Sequence, residues 1–253
     1  WRKESEKLLP RQINIYKNVL ASIFFFPVIF TISWFSNISS IFILMISGIV
    51  GIALGDTLYI NSLKIIGTRK TLSFEALTPI IATILGTLST HEIYPQKVWI
   101  GSFIVSFSLF VIVRQNTLQK EKTSEINFLG ILCALGSVFC AVFAALLSRI
   151  ILVSSSLSPL QTTEIRLLSS SILLLLIFKK DFLDLFKDKL LTKHNHSNLV
   201  LSTLLGTNCG ILFQQIVFKF LPIGIGWTLL SLSPVLALFI SKREGDQINK
   251  LTI

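Results

Sequence analysis

The sequence predicts an all-α membrane protein, a multi-pass bundle of about eight transmembrane helices. From Asn18 to Gly55 there is no Asp, Glu, Lys, Arg or His. A helix needs ~20 apolar residues to cross a hydrocarbon layer about 30 Å thick, so this stretch holds two spans. Over the whole chain, apolar residues make up 52% and charged residues 14%, with a mean hydropathy of +0.74. Soluble domains carry roughly 25% charged residues, so the solvent here is lipid. Inside lipid each backbone polar group must be satisfied within its own helix, which fixes the class.

The elements follow in order. The first span is expected over 18–36, and the polar run Ser36-Asn37-Ile38-Ser39-Ser40 turns the chain into a second over 41–63. A third over 71–90 contains Glu75, and a fourth over 97–113 follows Pro95 and Lys97. The fifth is expected over 127–152. The sixth, over 161–178, carries Glu164 and Arg166 near its start; the seventh and eighth are expected over 198–218 and 222–241. Between the sixth and seventh, Phe182, Leu183, Phe186 and Leu190 recur at helical spacing among Lys and Asp. That pattern reads as an amphipathic helix lying on the membrane surface, or else as a solvated linker.

The basic residues alternate with these spans. Nineteen of the 23 Lys and Arg fall on one side, leaving Lys97, Arg149, Arg166 and Lys219 on the other. Positive charge collects on the cytoplasmic face, so residues 1–17 are expected to be cytoplasmic. The net charge of +10 would suggest nucleic acid in a soluble protein. Here the charges sit between spans, where they orient the chain and meet lipid headgroups, and no nucleic-acid partner is expected. Cys133, Cys140 and Cys209 lie within apolar segments and read as small core residues.

The chain also repeats. Shifted by 155 residues, Gly51, Gly55, Lys64, Leu77, Pro79 and Ala82 fall on Gly206, Gly210, Lys219, Leu232, Pro234 and Ala237. A second match, shifted by 149, sets the segment from Lys17 beside the segment from Arg166. The loop after the Gly-xxx-Gly helix is basic in the first copy and poor in charge in the second, so the copies insert with opposite orientation. Inverted repeats of this kind are the architecture of secondary transporters.

The block Gly51 to Tyr59, Leu63 to Arg69, Glu75 to Ala82 and His91-Glu92, with its second copy from Gly206 to Ala237 and Glu244 after it, resembles EamA-type transporters of the drug/metabolite transporter superfamily. The resemblance implies a ten-helix fold of two inverted five-helix repeats. Residues 1–126 would form the first repeat, lacking its first helix, and 127–253 the second, lacking most of its last. It implies a multi-pass protein of the cell membrane, as in the bacterial inner membrane. The implied function is a secondary transporter, an exporter, of small metabolites such as amino acids or related polar compounds. Members are usually drawn with both termini inside, whereas the charge count would place the start of a ten-helix parent outside.

Several side chains are candidates for that function. Asp56 lies within a span, where an ionisable group marks a functional site by default. It is placed to bind a cationic group, to take up a proton, or to pair with Lys64. Glu75 is a second candidate for proton coupling, or a helix-opening acid close to Arg69 and Lys70. Asp56, Tyr59, Asn208, Gln214 and Gln215 are expected to line a substrate cavity, Tyr59 and Gln214 at equivalent positions of the two copies. The three amides serve equally well as interhelical glue. Gly48, Gly51, Gly55, Gly206 and Gly210 are expected to let helices pack closely, and Pro79 and Pro234 to bend them. Glu164 and Arg166 are expected to pair with one another or to sit at the non-cytoplasmic interface, and Glu92 and Glu244 to cap or pair in turns.

Enzyme patterns are weak. His91-Glu92-Ile93-Tyr94-Pro95 lacks the second His of a zinc helix, and no Gly-rich phosphate loop or nucleophile elbow occurs. No catalytic residue, metal or cofactor is expected; the partners are a small-molecule substrate, the bilayer and a coupling proton or ion. The alternatives are a membrane-embedded lipid-modifying enzyme and a truncated bundle that transports nothing.

Overall fold

A computed structural model describes residues 9–90, 92–117, 127–187 and 193–232. Its helices are α1 (Pro10–Phe25), α2 (Ile38–Gly48), α3 (Asp56–Glu75), α4 (Thr78–Thr90), α5 (Gln96–Thr117), α6 (Phe128–Ser154), α7 (Pro159–Lys187), α8 (Lys193–Ser202), α9 (Gly210–Phe220) and α10 (Ile223–Leu230). Six helical stretches among the described residues are long and apolar enough to cross a membrane, while α5 is apolar over the shorter run Gln96–Val111. The multi-pass all-α class is thus the observed one.

The bundle is apolar outside and polar within. Phe30, Phe35, Phe128 and Leu176 are among its most exposed side chains, whereas Asn14, Asn18, Ser47, Glu164 and Gln215 are fully buried. Lipid solvates the first group at no cost, and the second must find partners inside. Helix α6 is the centre. It packs against α2, α3, α4 and α9, while α1 and α2 pack on α7. One apolar cluster joins α4, α6, α9 and α10 through Ala82, Val142, Leu146, Phe218 and Ile223. Another joins α1, α3 and α8 through Ile13, Tyr16, Ile60 and Leu199.

Several boundaries differ from expectation. The first span starts at Pro10 and continues as a 3₁₀ segment to Thr31, so Lys17 sits inside the bundle rather than in a cytoplasmic lead-in. Its burial is tolerated because its ammonium pairs with Asp56, and Asn14, Asn18 and Ser22, one turn apart, form a polar stripe on the same helix. The sixth span and the first part of the expected surface helix form one helix, α7, kinked at Phe178. There Arg11 lies over the Phe178 ring and pairs with Asp181 at 2.9 Å, fastening the start of α1 to the end of α7. The third span, Lys70–Thr90, breaks at Ala76 and Leu77, and Pro79, in the first turn of α4, has no N–H to give to the Glu75 carbonyl one turn back. Pro234 and Glu244 lie outside the described residues.

Two π-helical segments interrupt the bundle, Ile49–Gly55 between α2 and α3 and Thr203–Cys209 between α8 and α9. They fall at nearly equivalent positions of the 155-residue shift, a symmetry invisible in the identities alone. A π segment widens the helix and loosens its own hydrogen bonding. Helix α1 meets both. The Asn14 amide donates to the carbonyls of Ile52 and Ala53 at 3.1 and 3.2 Å, and Asn208 of the second segment donates to Ala21 O at 3.0 Å.

Candidate functional site

A cavity of about 320 Å³ opens where the two π segments face each other. Gly51, Ile52, Gly55, Asp56, Tyr59 and Ile60 line it from the first half, and Gly206, Thr207, Ile211 and Gln214 from the second. Lys17 of α1, Arg166 of α7, Glu75 and Trp227 complete the polar and aromatic lining, with Ser137 and Ala141 of α6 as its wall. A smaller cavity, about 130 Å³, continues from Glu75 and Ala141 toward Leu109 and Leu230.

Small residues make this geometry. A Cβ added at Gly51 would lie 2.6 Å from Ala144 Cβ, and one at Gly55 would lie 3.2 Å from Cys140 Cβ. At Gly48 it would collide with the Arg166 backbone and lie against Ser169. These glycines let α2 and its π segment settle between α6 and α7. Ser47 adds a hydrogen bond to Ala144 O at 2.7 Å. Gly206 and Gly210 behave differently. Both are exposed, Gly206 on the cavity, and among the described residues nothing comes within 4 Å of a Cβ placed at Gly210.

Four ionisable side chains reach the cavity. Lys17 pairs with Asp56. Lys64, the partner considered from sequence, is exposed. Helix α3 is broken at Gly67 (φ 80°), so Glu75 lies in the next span, at the end of that span's first helical segment rather than at its start, and lines the cavity. Arg166 is 4% exposed, and its Nε and Nη1 have no hydrogen-bond partner among the described residues. It does not pair with Glu164. That carboxyl accepts from Ser22 Oγ at 3.1 Å through one oxygen, while its other oxygen is unpartnered.

The expected cavity residues divide accordingly. Asp56, Tyr59 and Gln214 come together. Asn208 and Gln215 do not line the cavity, because each is used to join helices. Asn208 holds the second π segment to α1, and Gln215 accepts from Ser148 of α6 and from Thr162 of α7.

A second polar cluster lies further along α6. Arg149 is about 12 Å beyond Ala141 at 1.5 Å per residue. Its Nε donates to Glu92 at 3.2 Å, and its Nη1 to the carbonyls of Phe218 and Lys219 at 2.6 and 2.9 Å. Tyr94 donates to the same carboxylate, and Glu92 and Tyr94 accept the N–H groups of Ile223 and Gly224, each at 3.0 Å. Burial first, and then the hydrogen bond to Glu92, raise the Tyr94 pKa well above its ordinary value, so the phenol stays a donor. This network fastens the α4–α5 turn and α6 to the α9–α10 turn.

The sequence profile of the EamA-like transporter family matches residues 2–114 and again residues 128–243. The chain belongs to the EamA-like transporter family. No curated protein matches it. Family members are membrane transporters, and this EamA-like chain is a multi-pass membrane protein with two copies of the family unit.

In this EamA-like chain the cavity is assembled from matching positions of the two copies. Gly51 and Gly206, Ile52 and Thr207, Asp56 and Ile211, and Tyr59 and Gln214 are related by the shift of 155, and all eight line it. Lys17 and Arg166, related by the shift of 149, line it too. Sequence reasoning placed Lys17 ahead of the first span and Arg166 near the start of the sixth, paired with Glu164 or at the interface, and so missed both as site residues. Two signals pointed to them: their match across the repeat, and the polar stripe around Lys17.

Proposed function

We propose that this EamA-like protein is a secondary transporter of small polar or amphipathic metabolites, with amino acids and related compounds as first candidates. It works by alternating access between two inverted repeats, residues 1–126 and 127–253. The supporting observation is one cavity lined by equivalent residues of both halves, with π segments on each side of it. Rocking one half against the other exposes such a cavity to either face in turn.

The Glu92–Arg149–Tyr94 cluster closes the non-cytoplasmic end, and it must separate for cargo to leave there. Export is the proposed direction, and the cell membrane the proposed location. The chain before α1 is cytoplasmic, since moving Lys17 into the bundle leaves the charge bias intact. Of the two candidates for proton coupling, Glu75 now precedes Asp56. Lys17 pairs with Asp56, whereas Glu75 has no cation partner among the described residues.

The test is solute counterflow in liposomes. Labelled amino acids and small metabolites are offered in pools to the reconstituted full-length protein, with and without an imposed proton gradient. Exchange of at least one pool is expected, accelerated by the gradient and uncoupled from it in Glu75→Gln. Folded, inserted protein that exchanges no pool under either condition would contradict the reading.

A further inference from the structure

The two halves of the cavity differ at one pair of positions. In the first half Lys17 finds its counter-ion in Asp56. In the second half Arg166 occupies the place of Lys17, and Ile211 occupies the place of Asp56. A guanidinium that is 4% exposed, with two nitrogens unpartnered among the described residues, therefore lines a cavity in which Asp56 lies within electrostatic range but is paired with Lys17.

We propose that the missing anion arrives with the cargo. The transported molecule carries a carboxylate, which docks on Arg166 beside Ile211, where the second half lacks an aspartate. This rests on the transporter reading above and adds the charge that the cargo bears. A buried, unpaired cation is costly, and an incoming carboxylate relieves that cost without displacing a protein partner. The planar fork of a guanidinium suits a two-oxygen acceptor, and Ile211 keeps the pair dry. A space of about 320 Å³ holds a molecule of amino-acid size and excludes large amphiphiles. Phosphate esters share the oxyanion chemistry, but they bring a second charge for which the cavity has no second unpaired cation, since Lys17 is already matched.

The experiment is counterflow by the full-length protein with three probe sets: pooled α-amino acids, the matching amino-acid amides, and sugar phosphates. The amide keeps the shape and loses the anion. In the wild-type protein, acids should exchange about tenfold or more faster than amides or sugar phosphates. Arg166→Gln should reduce that preference to about one. Ile211→Asp rebuilds the pair of the first half in the second. It should suppress acid exchange about tenfold while the protein stays inserted and folded.

Equal exchange of acids and amides by the wild type overturns the carboxylate anchor and leaves the transporter reading standing. Preference for sugar phosphates, or an Ile211→Asp variant that exchanges acids normally, overturns the anchor as well. Absence of exchange for all three sets removes the cargo reading and the anchor with it. The wild-type comparison stands even if an Arg166 variant fails to fold.

Discussion

The cavity charges and the Glu92–Arg149–Tyr94 cluster use the same residue types and leave them in opposite states. At the cluster, each Arg149 nitrogen named above has an acceptor, Glu92 receives three donors, and the side chains of both are less than 15% exposed. At the cavity, Lys17 and Asp56 are matched, while Arg166 is not and Glu75 has no cation beside it among the described residues. A satisfied buried network rigidifies and joins helices; an unsatisfied one stores a cost that a ligand relieves. On the proposed reading, the difference separates a closure from a binding site.

The largest expected effect sharpens this contrast. Arg149→Met leaves Glu92 and two carbonyls unanswered and should lower stability by about 3–5 kcal/mol. Arg166→Met removes an unpaired buried cation, so it should cost nothing or stabilise, while ending carboxylate exchange. Thermal unfolding in detergent with counterflow on the same preparations checks both. Equal destabilisation would erase the distinction.

Gly48→Ala comes next. Its methyl meets the Arg166 backbone and Ser169, and should cost about 1–3 kcal/mol by overpacking. Gly210→Ala faces open space among the described residues and should gain roughly 0.5–1 kcal/mol from helix propensity. Chemical denaturation of the pair in mixed micelles would show the opposite signs. An effect of similar size to that of Gly48→Ala belongs to Tyr94→Phe. It removes one donor to Glu92 and one acceptor for Gly224 N–H, and should cost about 1–3 kcal/mol while favouring the outward-open form.

Much of this was legible in the sequence. The uncharged run from Asn18, the inverted charge pattern and the Gly51/Gly206 repeat carry the class, the repeat and three of the cavity residues. What was missed has a common cause. Composition marks where a helix is apolar, but not which face a lone polar residue presents. Lys17 was therefore placed ahead of the first span and Arg166 in a pair with Glu164 or at the interface, while Asn208 and Gln215 were left between lining the cavity and the interhelical bonds that they make. The π segments were missed because their widened turns keep ordinary helical residue types. Glu75 was assigned to a helix start because the span was expected to begin near residue 71, whereas the helix resumes directly after Gly67 and breaks at Ala76 and Leu77, one turn before Pro79.

The account's central claim is that the cavity is reached from one face at a time, with the Glu92–Arg149–Tyr94 cluster as the closed end. With Cys133, Cys140 and Cys209 replaced by Ser, Tyr59→Cys places one thiol in the cavity. That thiol is then labelled in oriented membrane vesicles by a membrane-impermeant reagent applied to either face. Labelling from the cytoplasmic face alone is expected in the otherwise intact protein, and Arg149→Gln should open the other face. Equal labelling from both faces with the cluster intact would contradict alternating access and describe a pore instead.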